Sequence, residues 1–440
     1  MSLAGGARVE ALRLRARRLL ALARPWLDRP IGRFVDACFG LGGLLATPIC
    51  VQLVISYWGT LAGVLFAAAA IGAIRRGRRR WVALGSYGVL ALYAVPAYSP
   101  ILRAPRHSER LAVETLSSRR GAYGIALGDD GTVIVTHGHT PHEARGLAVI
   151  RPDGRSFFTP TASSHVIFTT GLPGGAAIAH EWEEIDESVG GVQSRTYILD
   201  PATSTWSVRD EQTPYYRSFH FPGLGLFLIL RPRHEHDKGI EQTTPERFLA
   251  GEPPLRSWRV PIEGLEELAR HPTRPVIYGR GEASSRSIVE LDVRYGTLRY
   301  GDGIRIWHWG IATAGPLGQV LLTNSFANQL FSIDDRTLEV KAVTPILGMP
   351  RPVTYLPTAG LAAVGAYAGR RISFLSPNPD ATWTEVATLP TCQKVHALIF
   401  DEPSAYLYFT DFCGAYRVRI PPDRWWEPAE AREAASHAPG

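Results

Sequence analysis

An all-β, seven-bladed β-propeller preceded by a helical membrane anchor of three spans is the fold this sequence predicts. Three observations carry that expectation. A phrase of one short apolar run, a turn and a second apolar run recurs seven times between Tyr123 and Phe409. Its turns centre near Gly131, Gly174, Gly223, Arg274, Gly318, Gly360 and Ser404, so successive steps are 43, 49, 51, 44, 42 and 44 residues. A hairpin recurring at a period in the forties marks a propeller, because one blade cannot bury both faces alone and must stack on its neighbours. Ahead of the repeats lies apolar, arginine-flanked sequence long enough to cross a bilayer three times.

The anchor comes first in the chain. Residues 1–33 form a basic segment with scattered apolar residues, expected in the cytoplasm as an amphipathic helix on anionic lipid or as a basic tail. Phe34–Ile74 is nearly unbroken apolar sequence, enough for two spans (about 34–55 and 58–74) that turn at Tyr57-Trp58-Gly59-Thr60. A third span covers 81–98. Between the second and third lies Arg75-Arg76-Gly77-Arg78-Arg79-Arg80, a cytoplasmic signal. Three spans then place everything after Ser99 outside.

Charge follows the same division. Residues 1–110 hold 16 Arg and no Lys against 4 acids, whereas the remainder has 31 basic against 37 acidic side chains, a net −6. The basic charge is therefore a topology signal, and a nucleic-acid footprint is excluded. Arg outnumbers Lys 44 to 3, in keeping with a GC-rich bacterial genome. The expected location is a bacterial inner membrane with a cytoplasmic N-terminus and a periplasmic propeller.

After a linker at 99–110, the propeller should occupy 111–424, with a tail at 425–440. The inner hairpins begin with Tyr123–Leu127 and Thr132–Thr136 and end with His396–Phe400 and Ala405–Phe409. Third strands close on turn phrases such as Ile150-Arg151-Pro152-Asp153-Gly154, Leu199-Asp200-Pro201 and Ile333-Asp334, where Asp, Pro and Gly suit tight turns. Blade seven shows three strands only, so Leu111–Leu116 is expected to supply its outer strand and remove the open edge. The linker then enters on the face bearing the A–B and C–D turns, and that face should look at the membrane. Trp425 and Trp426 emerge there as interfacial aromatics or as a packing pair. Residues 260–269 leave little room for a fourth strand in blade three.

Chemistry is sought on the opposite face, in B–C loops expected to be long in blades one to three. Loop one offers His137, His139 and His142. Loop two offers His180, Glu181, Glu183, Glu184 and Asp186. Loop three, read as about 231–257, offers His234, His236 and Asp237. Imidazoles with carboxylates suit a divalent metal or general acid/base work, although no spacing here matches a metal motif. A second constellation sits at the channel mouth, where Tyr123, His165, His308, Trp309 and His396 start inner strands. A metal, if bound, would sit on His137, His139 and His142 or on His165, His308 and His396. No nucleophile elbow, P-loop or dinucleotide fingerprint is present.

Tyr123-Gly124-Ile125-Ala126, Trp309-Gly310-Ile311-Ala312 and the Asp/Pro turn phrases make residues 110–420 resemble the broad YncE-like and NHL-like propeller group. The resemblance implies the fold and no activity, since that group includes scaffolds and enzymes alike. The function expected is a ligand- or protein-binding or assembly module with a periplasmic protein or small-molecule partner. The alternative is a metal-dependent hydrolase or oxidoreductase working from the His- and acid-rich face.

Cys392 and Cys413 carry the sharpest structural expectation. One precedes the first strand of blade seven and the other follows the second, so their loops share a face across adjacent strands about 5 Å apart. That separation suits a disulfide, and an extracytoplasmic compartment permits one.

Overall fold

The structure is a computed structural model that describes residues 111–426, apart from 139–144, 162–165, 182–193, 212–216, 235–236, 261–264, 266, 282–287, 302–307, 326, 393 and 423–424. The expected spans at 34–98, the basic segment at 1–33 and the linker at 99–110 lie outside the described residues, as does the tail beyond Trp426. No helix among the described residues is long and apolar enough to cross a membrane.

Among the described residues, twenty-eight strands form seven four-stranded antiparallel sheets. The outer strand β1 (Val113–Ser117) comes first in the chain and belongs to the last blade. Blade one is β2 (Ile125–Leu127), β3 (Val133–His137), β4 (Gly146–Ile150) and β5 (Ser156–Pro160). Blade two is β6 (Val166–Gly171), β7 (Ala177–Glu181), β8 (Ser194–Asp200) and β9 (Thr205–Glu211). Blade three is β10 (Arg217–Phe221), β11 (Leu226–His234), β12 (Asp237–Thr243) and β13 (Arg256–Val260). Blade four is β14 (Glu267–Arg270), β15 (Val276–Arg280), β16 (Ile288–Asp292) and β17 (Thr297–Gly301). Blade five is β18 (His308–Ala314), β19 (Gln319–Asn324), β20 (Gln329–Asp334) and β21 (Val340–Pro345). Blade six is β22 (Pro350–Leu356), β23 (Leu361–Ala366), β24 (Arg371–Pro377) and β25 (Trp383–Pro390). Blade seven is β26 (Ala397–Asp401), β27 (Tyr406–Asp411) and β28 (Gly414–Arg419), completed by β1.

Burial explains why the second strand of each blade reads as an apolar run. β3, β15, β19 and β23 are buried at every position, because each lies between two strands of its own sheet and two neighbouring blades. Outer strands such as β5, β13 and β21 are exposed or half-buried over most of their length and read as mixed sequence. Asp at the end of the third strand has a defined task. Asp200, Asp292 and Asp334 each accept a hydrogen bond from the backbone N–H two residues on, at 2.8–2.9 Å, and Asp153 and Asp380 do the same inside their turns at 3.0 and 3.1 Å. These side chains hold the tight turns the turn phrases predict.

The ring closes as expected, two residues further along. β1 pairs antiparallel with β28, Val113 opposite Val418, and Glu114 bonds Arg417 at 2.7 Å across the join. Cys392 and Cys413 are bridged, with Cα atoms 5.9 Å apart. Asp411 secures both ends of the bridge, accepting the N–H groups of Cys392 and Cys413 at 2.8 Å each. Trp425 is buried against Phe374, with ring centroids 5.2 Å apart, so it is a packing residue and not an interfacial aromatic.

Blade three departs from expectation. The segment 231–257 is not one long B–C loop. β11 and β12 meet in a tight hairpin with His234 paired to Asp237, and the long excursion is the C–D connection 244–255 on the other face. β12 escaped notice because residues 237–243 are polar apart from Ile240, which alone marks the core side at 1 % exposure. With β12 assigned, 256–260 is free to be the fourth strand that 260–269 lacked room for.

Seams between blades are joined at the inner strands by threonine hydroxyls. Thr410 donates to the Tyr123 carbonyl at 2.6 Å, Thr170 to Ser218 at 2.6 Å, Thr313 to Arg270 at 2.7 Å and Thr323 to Arg351 at 2.6 Å. Inner strands of adjacent blades do not pair as a ladder, so these bonds satisfy carbonyls that would otherwise face the channel. Gly171 and Gly310 stand where the backbones come closest. A Cβ on Gly171 would overlap the Leu127 carbonyl, and one on Gly310 the Arg351 carbonyl.

Candidate functional site

The inner strands enclose a cavity of about 770 Å³ along the ring axis. The starts of these strands define its mouth on the face of the B–C and D–A loops. Tyr123 is fixed just before β2 by its own N–H, which donates to the Thr136 carbonyl at 2.8 Å, and by the Thr410 hydroxyl on its carbonyl. Its ring stacks on His396 with centroids 4.3 Å apart and meets the edge of Phe168 at 6.2 Å. His396 in turn meets Tyr367 at 5.6 Å. Rings from blades one, two, six and seven thus form one continuous aromatic shelf.

Arginines lie on this shelf. The Arg351 guanidinium sits 3.6 Å over Tyr367, and Arg217 lies 4.6 Å from Phe168 and 5.0 Å from Phe219. Arg217 and Arg280 both approach Glu267, at 3.3 and 3.5 Å. Arg217 and Arg280 thus share the Glu267 carboxylate, and Arg351 lines the same cavity. The opposite end of the cavity is lined by Asp129 and Asp401 with Arg270. Flat apolar faces edged by fixed cations favour planar, anion-bearing groups or aromatic side chains of a partner.

The expected loop histidines are placed differently. His137 ends β3 and is fully buried, and its Nδ1–H donates to the Arg120 carbonyl at 3.2 Å. Burial lowers its pKa to about 4, so the ring is neutral. The same bond leaves the Nε2 lone pair of His137 without a hydrogen-bond partner among the described residues. His180, on β7, is buried too, at 1 % exposure, with Nε2 2.8 Å from the Ser218 hydroxyl, and burial lowers its pKa to about 3. The Ser218 hydroxyl donates a hydrogen bond to the Thr170 hydroxyl at 2.9 Å, and Thr170 donates to the Ser218 carbonyl. His180 is therefore the donor to Ser218, and the arrangement is a seam between blades two and three rather than an activated nucleophile.

Glu181 ends β7, while His234 and Asp237 form the β11–β12 hairpin. His139, His142, Glu183, Glu184, Asp186 and His236 lie outside the described residues. At the mouth, Tyr123 and His396 come together as expected, and His308 and Trp309 start β18. His165 lies outside the described residues. His220 lines the cavity from β10, its pKa lowered chiefly by burial. No group of three or more His, Cys, Asp or Glu among the described residues is placed to hold a metal ion.

Arg217, Glu267 and Arg351 escaped the sequence reading, although each stands at or near the start of an inner strand, as Tyr123 and His396 do. Aligning the seven hairpins and searching that position for charge as well as imidazole finds them.

No protein-family model matches the sequence, and no curated protein matches it. Solved structures do. A streptogramin B lyase structure aligns over 71 % of this chain and 98 % of its own, with 14 % identity and a TM-score of 0.50. U3-55K aligns over 70 % and 98 %, with 9 % identity and a TM-score of 0.53. The WD40 repeats of RRP9 align over 72 % and 99 %, with 10 % identity and a TM-score of 0.54. At these identities the likeness is one of fold alone. It defines the class as a β-propeller, and the broad NHL-like and YncE-like group read from the sequence is consistent with it.

Proposed function

We propose that this chain is a membrane-anchored, extracytoplasmic binding or assembly module. Spans at about 34–55, 58–74 and 81–98 hold it in a bacterial inner membrane, and the face of the B–C and D–A loops grips a periplasmic protein or small molecule. The observation that carries the binding role is the mouth itself, where Tyr123, Phe168 and His396 make a shelf edged by Arg217 and Arg351. Aromatic faces with held arginines are the side chains that dominate binding energy in interfaces. The anchor rests on apolar length and on the arginine runs either side of it.

Benzoylphenylalanine placed at Tyr123 or Phe168 of the full-length chain in living cells tests the site. An ultraviolet-dependent adduct lost in Arg351→Glu supports it. No adduct at either position, with no small molecule bound in a native mass spectrum, sinks it. Protease access in spheroplasts tests the placement, which fails if the propeller stays protected once the outer membrane is removed.

One observation favours the metal-dependent alternative. His137 donates from Nδ1 to a carbonyl and is held neutral, which is how a ligating histidine is oriented toward a metal at Nε2. The His-rich loop follows it directly in sequence. Metal analysis of the purified chain separates the readings: a stoichiometric divalent ion lost in His137→Ala favours the enzyme, and a metal-free folded protein favours the binding module.

A further inference from the structure

Of the eight large apolar side chains exposed among the described residues, Val113, Phe157, Val208, Val340 and Val343 lie on outer strands. The other three, Leu249, Leu255 and Tyr295, lie in turns of two adjacent blades on one face. They come from the long C–D connection of blade three and the C–D turn of blade four.

The connection is firmly seated. Thr244 caps a one-turn helix (Pro245–Leu249), accepting from the Arg247 N–H at 3.3 Å. Phe248 enters the apolar cluster of Leu172, Ile178, Phe227 and Ile229. Arg209 covers the Phe248 ring at 4.6 Å and donates to its carbonyl at 2.8 Å. Held in this way, the segment still leaves Leu249 37 % and Leu255 51 % exposed. Arg256 donates to the Val293 and Arg294 carbonyls at 3.4 and 3.2 Å, drawing the blade-four turn alongside with Tyr295 75 % exposed. A groove of about 710 Å³ between the two blades is lined by Leu224, Leu226, Leu255, Pro275 and Val293. Of the two arginines that line it, Arg294 pairs with Asp292 at 3.4 Å and Arg256 is held by the Val293 and Arg294 carbonyls, while Arg247 on the one-turn helix pairs with Glu252 at 2.9 Å.

The chain enters the propeller on this same face, since β1 starts at Val113 opposite Val418 near the end of β28. That entry is in blade seven. In a ring of seven, the seam between blades three and four lies diametrically opposite blade seven.

We propose that the patch of Leu249, Leu255 and Tyr295 is a second contact with the bilayer, resting on the anchored reading above. The linker 99–110 reaches about 40 Å at full extension, so a propeller tethered by it stays within contact distance of the membrane. A disc held at one point of its rim pivots; an apolar contact at the far rim seats it flat and turns the channel mouth away from the lipid. Leucine provides the apolar insertion, tyrosine suits headgroup depth, and arginine can lay its stem on apolar surface while its head stays wet. Because Leu249, Leu255 and Tyr295 carry the contact, it is apolar in character and survives high salt.

The test uses the full-length chain in liposomes, with Cys38→Ala and Cys50→Ala and the native disulfide retained. A polarity-sensitive fluorophore is attached at Leu255→Cys, at Tyr295→Cys, or at Ser118→Cys as a control on the opposite face, where Ser118 is exposed. The expected result is blue-shifted emission at 255 and 295, quenched by spin-labelled lipid and shielded from iodide, with the reverse at 118. Labels at 255 and 295 as open to iodide as 118, on a chain that resists carbonate extraction, overturn this inference and leave the anchor standing. Labels shielded from both quenchers mean that protein covers the face, which also overturns it. A chain that washes off in carbonate removes the anchor and this contact together.

Discussion

His271 shows how one side chain can join two blades. Its Nδ1 accepts the backbone N–H groups of Thr273 and Arg274 at 3.1 and 2.9 Å, so the ring proton is on Nε2 and points to Asp335 at 2.9 Å. Arg274 and Tyr278 then converge on the Asp335 carbonyl at 2.7 and 2.8 Å, and burial raises the Tyr278 pKa. His271→Ala strands two backbone N–H groups and leaves the buried Asp335 carboxylate with Arg274 at 3.4 Å as its remaining side-chain contact, and should cost roughly 2–3 kcal/mol, read as a lower denaturation midpoint. His137 and His180 make a pH prediction. Their folded pKa values of about 4 and about 3 lie below the ordinary value of 6.5, so between pH 6.5 and 4 the unfolded chain binds protons that the native one refuses. Stability is therefore full above pH 6.5 and falls as pH drops through that window, by up to about 1.4 kcal/mol per pH unit for each imidazole. Denaturation midpoints measured from pH 7.5 to 4.5 should show this slope, and His137→Gln should remove one imidazole's share of it and leave that of His180.

At the scale of the element, blade seven is the one assembled from both ends of the chain. β1 is held to β28 by a short register and by Glu114 with Arg417, a pair too exposed to contribute much. The Cys392–Cys413 bridge lies within the same sheet and closes a loop of 21 residues. In the chain-entropy model that adds about 3 kcal/mol, so Cys392→Ser with Cys413→Ser should lower the unfolding free energy by about that amount and shift the denaturation midpoint down. Dithiothreitol should reproduce the shift in the parent and leave the double variant unmoved. The misassigned element, β12, teaches the converse. A strand whose apolar signal is a single Ile240 is invisible to period-two reading, because Lys238 and Gln242 share its face in sequence and the buried positions of the other face, Glu241 and Thr243, are polar.

For the whole molecule, closing the ring forces seven seams to fit at once, and a misfit at one seam is felt by the complete circle. Gly171→Ala sets a methyl against the Leu127 carbonyl between blades one and two. It should destabilise the propeller by about 1–3 kcal/mol, and the loss should appear in one cooperative unfolding transition rather than as a separate early step. By contrast Arg217→Glu at the mouth breaks an ion pair that is about a quarter exposed on each side. Thermal unfolding should move little, while crosslinking from Tyr123 should fall sharply if the mouth is the binding surface.

The number of blades, the closing strand and the disulfide were legible in the chain because each rests on local repetition. A hairpin repeats its apolar pattern, a turn repeats its Asp or Gly, and two cysteines flank one hairpin. What only the tertiary structure decided is which side chains meet. Phe168, Arg217, Glu267, Arg351 and Tyr367 are scattered over 200 residues. They become one surface because successive blades bring the mouth-side ends of their strands to a common rim. The same cause moved His137 and His180 from expected loop ligands to buried positions: strands β3 and β7 run further than their apolar runs suggest, and packing between blades absorbs the imidazoles at their ends. Periodicity along a chain reports which way a strand faces, whereas the pairing of seams depends on distances that only the closed ring sets.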